Sequence, residues 1–307
     1  MIYTVTLNPA LDRELCVPAL AFDTVLRASE VRLDCGGKGF NVSRMLAALG
    51  CESVALGLAG GRTGEALRDG LEALGVATDF VWVAGETRTN VSIVTAARDH
   101  HLKVNEAGPT IAPHEQAALL ERVRARARRG DWWVLAGSLP PGVPAELYAE
   151  LIGALRAAGA HVALDTSGPP LRHGCAAGPT LVKPNAVEAA ELTGRPVGAT
   201  AEALAAARAL DGVPYVAISL GADGALLAHD GRGWLATPPA IRERNPIGAG
   251  DSLVAGMVWG LSRGDPVEAL RWGVACGAAA AASDGTAVGA RAEVERLAGQ
   301  VRIRALG

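Results

Sequence analysis

Short apolar runs and stretches with helical spacing follow one another along most of this chain, and the pattern falls into two unlike parts. Residues 2–7 alternate and are β-rich, which predicts a strand ended by Asn8-Pro9, with Asp12 in the loop beyond it. Residues 14–17 and 25–33 then give short β-like pieces separated by Pro18 and Asp23, an excursion from the main sheet rather than a crossover. Helical periodicity over 40–49 stops at Gly50, a strand over 53–58 follows, and a helix over 63–74 is ended by Gly75. Residues 80–83 and 87–96 read as strands with Gly85 at the turn between them, and 97–104 returns, so this second excursion belongs to the same small flap.

From residue 113 the rhythm is regular. Helices are predicted over 113–128, 144–158, 186–192 and 201–210, and strands over 132–136, 161–165, 180–183 and 215–220. A hairpin over 225–228 and 233–236 turns at Asp230-Gly231, and helices over 251–262, 266–282 and 291–300 close the chain. The helix over 113–128 carries a basic face (Arg122, Arg124, Arg126, Arg128, with Arg129 just beyond) that reads as solvent-exposed. Strands alternating with helices over this length imply an α/β chain with a mostly parallel sheet and helices on both faces. There is no sequence repeat, low-complexity tract or long linker.

Composition narrows the class. The 307 residues are 50% hydrophobic but only 4% aromatic, so a large core must be aliphatic and alanine-rich. With Lys+Arg 29 against Asp+Glu 32, the formal charge of −3 argues against bulk nucleic-acid binding. Any anionic ligand must then be held by local cations and backbone N–H groups. The five cysteines (Cys16, Cys35, Cys51, Cys175, Cys276) show no CxxC pair and read as reduced thiols. The start, MIYTVTLNPALD, carries no secretory signature, and the apolar run 278–282 is far too short to span a bilayer. A soluble, cytoplasmic protein is expected, with no nucleic acid or membrane as partner.

In sheets of this kind ligands bind beyond the carboxyl ends of the strands, and the residues able to do chemistry cluster there. They are Asn8 and Asp12, Gly36-Gly37-Lys38-Gly39-Phe40-Asn41, Gly137-Ser138-Leu139-Pro140-Pro141-Gly142, Asp165, Lys183-Pro184-Asn185 with Glu188, and Ser219-Leu220-Gly221-Ala222-Asp223-Gly224. Each alone has a plain reading as a turn or a cap, and no P-loop sequence is present. The run Asn245-Pro246-Ile247-Gly248-Ala249-Gly250-Asp251-Ser252 completes the set. Its glycines allow a sharp turn, the helix that follows offers unpaired N–H groups to an anion, and Asp251 stands at the mouth of that site. A Gly-turn with Asp as an ordinary cap explains the run equally well by itself. A carboxylate beside a pocket for phosphate oxygens otherwise fits one task, taking a proton from a hydroxyl as it attacks a phosphoryl group.

These residues resemble the signatures of the ribokinase-like (PfkB) carbohydrate kinases. Gly36-Gly37-Lys38-Gly39-x-Asn41 is similar to the family's first signature and 245–256 to its second. Lys183-Pro184-Asn185-x-x-Glu188 and Ser219-Leu220-Gly221-x-x-Gly224 are similar to its middle motifs, in order. Asn8-Pro9-Ala10-Leu11-Asp12, Lys38, Thr87-Arg88-Thr89-Asn90-Val91 and Gly137 to Gly142 resemble the phosphosugar branch.

The resemblance implies a single ribokinase-like three-layer α/β/α domain over 1–307, with a mostly parallel central sheet and a small β-strand lid from about 13–35 and 86–105. It implies ATP-dependent phosphorylation of a ketohexose phosphate, fructose 1-phosphate to fructose 1,6-bisphosphate first, with tagatose 6-phosphate or fructose 6-phosphate as alternative acceptors. A non-catalytic sensor of sugar phosphate or nucleotide is the alternative of another class.

Under the kinase reading Asp251 would be the general base, with Gly248, Ala249 and Gly250 as the anion hole. Asp12, Gly37, Asn41, Asn90 and Ser138 would bind the sugar, and Lys38, Arg88 and Arg27 its phosphate. Lys183, Asn185, Ser219, Gly221, Ala222 and Gly224 would line the ATP side, and Glu188 would organise Mg²⁺ through water. A homodimer through the lid strands is also implied. Pro246 departs from the small or β-branched residue expected there and restricts Asn245 to extended conformations.

Overall fold

The computed structural model of the chain describes every residue except 98–99 and 284–286. The first strand, β1 (Ile2–Thr6), leads into a pair that leaves the main sheet, β2 (Ala10–Val17) and β3 (Glu30–Gly36). Helix α1 (Lys38–Ala48) brings the chain back to β4 (Ser53–Ala59), and α2 (Gly61–Ala73) to β5 (Ala77–Trp82), before β6 (Arg88–Thr95) and β7 (His101–Asn105) leave again. Alternation then sets in, with α3 (Pro113–Arg126), β8 (Trp132–Ala136), α4 (Leu147–Ala157), β9 (His161–Asp165), α5 (Gly168–Ala176), β10 (Leu181–Val182), α6 (Ala186–Thr193), α7 (Thr200–Arg208) and β11 (Tyr215–Ser219). The hairpin β12 (Ala225–His229) and β13 (Arg232–Thr237) precedes α8 (Ala249–Leu261), α9 (Pro266–Ala281), α10 (Arg291–Ala298) and β14 (Arg302–Leu306).

Ten strands form the main sheet, in the order β14-β13-β12-β11-β10-β9-β8-β1-β4-β5. From β11 to β5 every pairing is parallel, and β12, β13 and β14 add an antiparallel edge. In β8 all five residues, WWVLA, are buried, because the sheet is covered on both sides and each parity of the strand meets its own helices. Trp133 and Leu135 join the cluster under α3, α4 and α7, while Trp132, Val134 and Ala136 join the one under α1, α8 and α9. The result is the three-layer α/β/α architecture of the ribokinase-like fold. Strand β1 lies between β4 and β8, so the strand order reverses there and opens a crevice at their carboxyl ends.

The four strands that leave the main sheet form a second one, in the order β3-β2-β6-β7, with β2 and β6 parallel. Register and alternation put Asp12, Asp34, Asn90 and Asn105 on one face. The other face carries Leu15, Val31, Leu33, Ile93, Leu102 and Val104, of which Val31, Leu33, Leu102 and Val104 are exposed.

Several local expectations change. Asp12 lies within β2 rather than in a loop, because β2 starts directly after Pro9. Strand β5 does not turn at Gly85 into the small sheet but pairs in parallel with β4 at the edge of the large one. Two arginines of the basic helical face, Arg122 and Arg126, pair with Asp79 of β5 and clamp α3 to that edge. Helix α5 and strand β14 have no counterpart in the sequence reading. The return over 97–104 falls partly on residues 98–99, outside the described residues, and β7 begins at His101.

Candidate active site

Helices α1 and α8 start side by side at the carboxyl ends of the central strands. Gly248 caps α8 with φ 82°, a left-handed conformation that glycine takes without a Cβ penalty and that turns the chain abruptly into the helix. Ala249 N–H donates to the Pro246 carbonyl at 3.2 Å, while the N–H groups of Gly250 and Asp251 make no intrachain backbone hydrogen bond among the described residues. The helix N-terminus therefore presents two main-chain donors and its positive dipole end to the cleft. A Cβ on Gly250 would lie 3.6 Å from Lys183 Nζ, and one on Gly248 3.8 Å from Asn41 Nδ2, so the turn is flanked by both side chains.

Asp251 is buried in the first turn of α8. Asn41 Nδ2 donates to its Oδ2 at 2.8 Å, and Lys38 Nζ stands 3.9 Å from its Oδ1. Lys38 in turn donates to Asp165 Oδ1 at 3.0 Å, and Lys183 Nζ lies 3.4 Å from the same oxygen. Four elements thus bring two carboxylates and two ammonium groups to one point. Burial pushes the Asp251 carboxyl up to about 6, with Asp165 adding to the rise and Lys38, the Asn41 hydrogen bond and Lys183 opposing it. Burial alone would hold the Lys38 ammonium down, but the charges of Asp165 and Asp251 outweigh it and raise its proton affinity.

One flank of this cluster runs under the small sheet. Asn90 Nδ2 donates to Asp12 Oδ1 at 2.8 Å, and burial raises the Asp12 carboxyl against that bond and the charges of Lys103 and Arg88. Gly36 lets the strands approach here, since a Cβ would stand 2.4 Å from Asp12 Oδ2. Arg88 spends three bonds on main chain, donating to the Asn8 carbonyl through Nε at 3.2 Å and Nη2 at 3.0 Å, and to the Glu106 carbonyl at 2.9 Å. Ser138 is exposed after β8, and Arg27 is exposed on the connection between β2 and β3, the end of that pair remote from Gly36.

On the other flank lies a cavity of about 590 Å³, lined by Ser219, Gly221, Ala222 and Gly224 from one side and by Pro246, Ala249 and Gly250 from the other. Val274, Gly277 and Ala278 of α9, Arg302 of β14 and the stretch 238–241 also line it. Asn185 lines an adjoining groove that shares Ser219 and Gly221. Glu188 and Asn185 cap α6 reciprocally at 2.8 Å each way, which leaves one Glu188 oxygen for other partners. A cavity of similar size, about 620 Å³, opens at the opposite end of the sheet around Met1, Cys51, Trp132 and His161, away from the acids and lysines of the cluster.

The structure brings together Asp251, Gly248, Ala249, Gly250, Lys38, Asn41 and Lys183. It places Asp12, Gly37 and Asn90 on the adjoining flank, and leaves Arg27 apart. Sequence reasoning gave no role to Asp165, Lys103 or the α9 wall. Asp165 stood out only as an acid at a strand end, and small residues on α9 are indistinguishable in sequence from ordinary helix packing.

Comparison with known proteins gives the same direction. Residues 6–292 match the family described as pfkB family carbohydrate kinase. The 1-phosphofructokinase of Rhodobacter capsulatus is 40% identical over 260 residues, covering 84% of this chain and 82% of that protein. The 1-phosphofructokinase of Bacillus subtilis (strain 168) is 37% identical over 309 residues, covering 100% of both. Among solved structures, phosphofructokinase-2 from Escherichia coli in complex with substrates and products superposes with a TM-score of 0.92 at 32% identity, covering 97% of this chain and 98% of that one. The same E. coli protein has been solved with fructose-6-phosphate and as a tetrameric inhibited form.

Proposed function

Because this chain belongs to the pfkB family of carbohydrate kinases, we propose that it transfers the γ-phosphoryl group of ATP to a hydroxyl of a ketohexose phosphate, converting fructose 1-phosphate to fructose 1,6-bisphosphate. One observation carries the reading. The buried Asp251 carboxylate is held by Asn41 and faced by Lys38 beside two unbonded main-chain amides, between the flank under the small sheet and a cavity of about 590 Å³.

Asp251 takes the proton of the attacking hydroxyl as its oxygen bonds to the γ-phosphorus. The bond from that phosphorus to the β–γ bridging oxygen breaks, and ADP leaves. Charge on the transferred group is met by the amides at the head of α8, with Lys183 at their side, because phosphoryl transfer asks for positioning and charge stabilisation more than covalent help. The nucleotide lies along Ser219, Gly221, Ala222 and Gly224, with Lys183 and Asn185 at its phosphate end. Asp12, Gly37, Asn41, Asn90 and Ser138 hold the sugar. Arg88 retains two N–H donors beyond its three main-chain bonds, enough for the phosphate the sugar already carries. Arg27 and Lys38 are the further cations assigned to that phosphate, Arg27 requiring movement of its loop.

Among the described residues there is no group of three acidic, His or Cys side chains able to cage a metal. That suits Mg²⁺, which keeps its waters and is bound mainly through substrate phosphates. The free Glu188 oxygen would hold it through water, and the ion would neutralise charge on the phosphates.

The small sheet acts as a lid over the sugar, excluding water that would otherwise hydrolyse ATP. Its apolar outer face pairs with that of a second copy in a homodimer. No helix among the described residues is long and apolar enough to cross a membrane. The five cysteines are unpaired, which suits the cytoplasm, where ATP and sugar phosphates are found.

Fructose 6-phosphate is the competing acceptor, favoured by the likeness to a protein solved with that sugar. A coupled ADP-release assay with fructose 1-phosphate, fructose 6-phosphate, tagatose 6-phosphate and ribose side by side decides. The highest kcat/KM is expected with fructose 1-phosphate, and binding without turnover on every sugar would leave only a sensor.

A further inference from the structure

Asp165 ends β9, is 1% exposed, and has no part in the chemistry described above. Both lysines of the cluster meet it on Oδ1, Lys38 at 3.0 Å and Lys183 at 3.4 Å. Its Oδ2 is buried and has no hydrogen-bond partner among the described residues. A buried carboxylate kept for stability would be expected to satisfy both oxygens, because an unpaired buried acceptor carries a desolvation penalty. The arrangement reads better as a device for locating an ammonium group. Lys38 has two carboxylates within reach and is 0.9 Å nearer to one of them, at 3.0 against 3.9 Å.

That difference matters to a general base. An ammonium in full contact with Asp251 would occupy the oxygen that must receive the hydroxyl proton and would weaken its hold on that proton. We propose that Asp165 is a positioning residue: it holds the Lys38 ammonium off Asp251 while the site is empty and yields it to the phosphate oxygens of the substrate when they arrive. Lys183 stays on the same Asp165 oxygen and offsets its charge through the exchange.

The charged groups facing Asp251 are Lys38 from α1, Asp165 from β9 and Lys183 beyond β10. Asn41 contributes a neutral hydrogen bond, and Glu188 of α6 acts on Lys38 rather than on the base. Loss of the Asp165 charge and a closer Lys38 would both favour the ionised form of Asp251. The inference rests on Asp251 acting as the base.

The test is the pH dependence of kcat/KM, which reports the groups of the free enzyme, for the full chain with ATP, Mg²⁺ and fructose 1-phosphate. It compares wild type, Asp165→Asn, Lys38→Gln and the double variant. In Asp165→Asn, kcat/KM falls by up to ~10²-fold through misplacement of Lys38, and its acidic limb moves to lower pH. In Lys38→Gln the limb moves to higher pH, and adding Asp165→Asn to that background moves it much less than in wild type. A limb that does not move in Asp165→Asn, or that moves equally in both backgrounds, overturns the proposal. Should Asp165→Asn fail to fold, Lys38→Gln, whose side chain opens onto the cleft, still decides: a limb left in place or moved down overturns it. A wild type with no acidic limb, or an Asp251→Asn variant that keeps its turnover, would instead remove the base itself and this inference with it.

Discussion

The Asn41 side-chain amide donates to the Asp251 carboxylate at 2.8 Å, joining residues 210 apart in the chain. The bond ties the first turn of α1 to the first turn of α8, so the glycine-rich loop before α1 and the glycine turn before α8 share one fixed point. It also sets which oxygen of Asp251 is free: Oδ2 is engaged, and Oδ1 faces Lys38 and the cleft.

Replacing Asp251 by Asn should lower kcat by ~10²–10⁴-fold, the range of a positioned base. ATP and sugar affinities should change little. Steady-state kinetics paired with calorimetric titration separates the two, and a loss confined to affinity would assign Asp251 to binding.

The same substitution should stabilise the fold near neutral pH. Asp251 holds its proton more tightly folded than unfolded, since burial raises its pKa from 3.8 to about 6. Folding therefore gains as pH falls through that window and loses as the group ionises above it. Asp251→Asn should be more stable than wild type by ~1–3 kcal/mol at neutral pH, with the gain vanishing in acid. Chemical denaturation at two pH values measures it.

Asn41→Ala removes a hydrogen bond that favours the ionised base. The acidic limb of kcat should move to higher pH, with activity lost most at mildly acidic pH and least in alkaline buffer. A uniform loss across the profile would mean that Asn41 serves the sugar and not the base.

Gly36→Ala places a Cβ where the Asp12 carboxylate stands, 2.4 Å from Oδ2. Asp12 must swing away from Asn90, so KM for the sugar phosphate should rise tenfold or more while KM for ATP stays near wild type, a loss of about 1.4 kcal/mol or more in sugar binding. Equal effects on both would contradict the division of the cleft into two flanks.

Leu33→Glu and Val104→Glu put charges on the apolar face of the small sheet, where the two residues are 60% and 58% exposed. Under the dimer reading each should yield a monomer in sedimentation equilibrium, because an unpaired charge would be buried at the centre of the interface. An unchanged mass would move the interface elsewhere.

Much of the fold was legible where burial on both faces leaves a compact apolar run: β8 and β9 occupy the residues predicted for them, 132–136 and 161–165. Helix α5 was hidden by Gly168-Pro169-Pro170, which reads as a break although proline is well placed in a first helical turn. Strand β14 is a partly exposed edge with basic residues, and only its pairing with β13 makes it a strand. The alternation in 80–83 could not say which sheet the strand would join, and β5 goes to the large one because Asp79 and Phe80 lie beside α3.

At the site, the local sequence marked Asp251 and its glycine turn, and the resemblance marked Asn41 and the 219–224 turn, since each lies in a short contiguous motif. The partnership of Lys38 with Asp165 spans 127 residues and leaves no local pattern to read. The resemblance alone assigned Lys38 to the sugar phosphate, and its partners within the chain are two carboxylates.

The parallel pairing of β2 with β6 has a mechanical result. Both strands run outward from the body, β3 and β7 run back, and Ala10, Gly36 and Arg88 lie side by side in register at the root. All four attachments are therefore at one end, and Arg88 rivets that end to the Asn8 and Glu106 carbonyls. The sheet is a cantilever. With eight residues in β2 it reaches roughly 26 Å from its root, so a tilt of only about 10° there would sweep the free tip through roughly 4–5 Å, while Asp12, near the pivot, would barely shift.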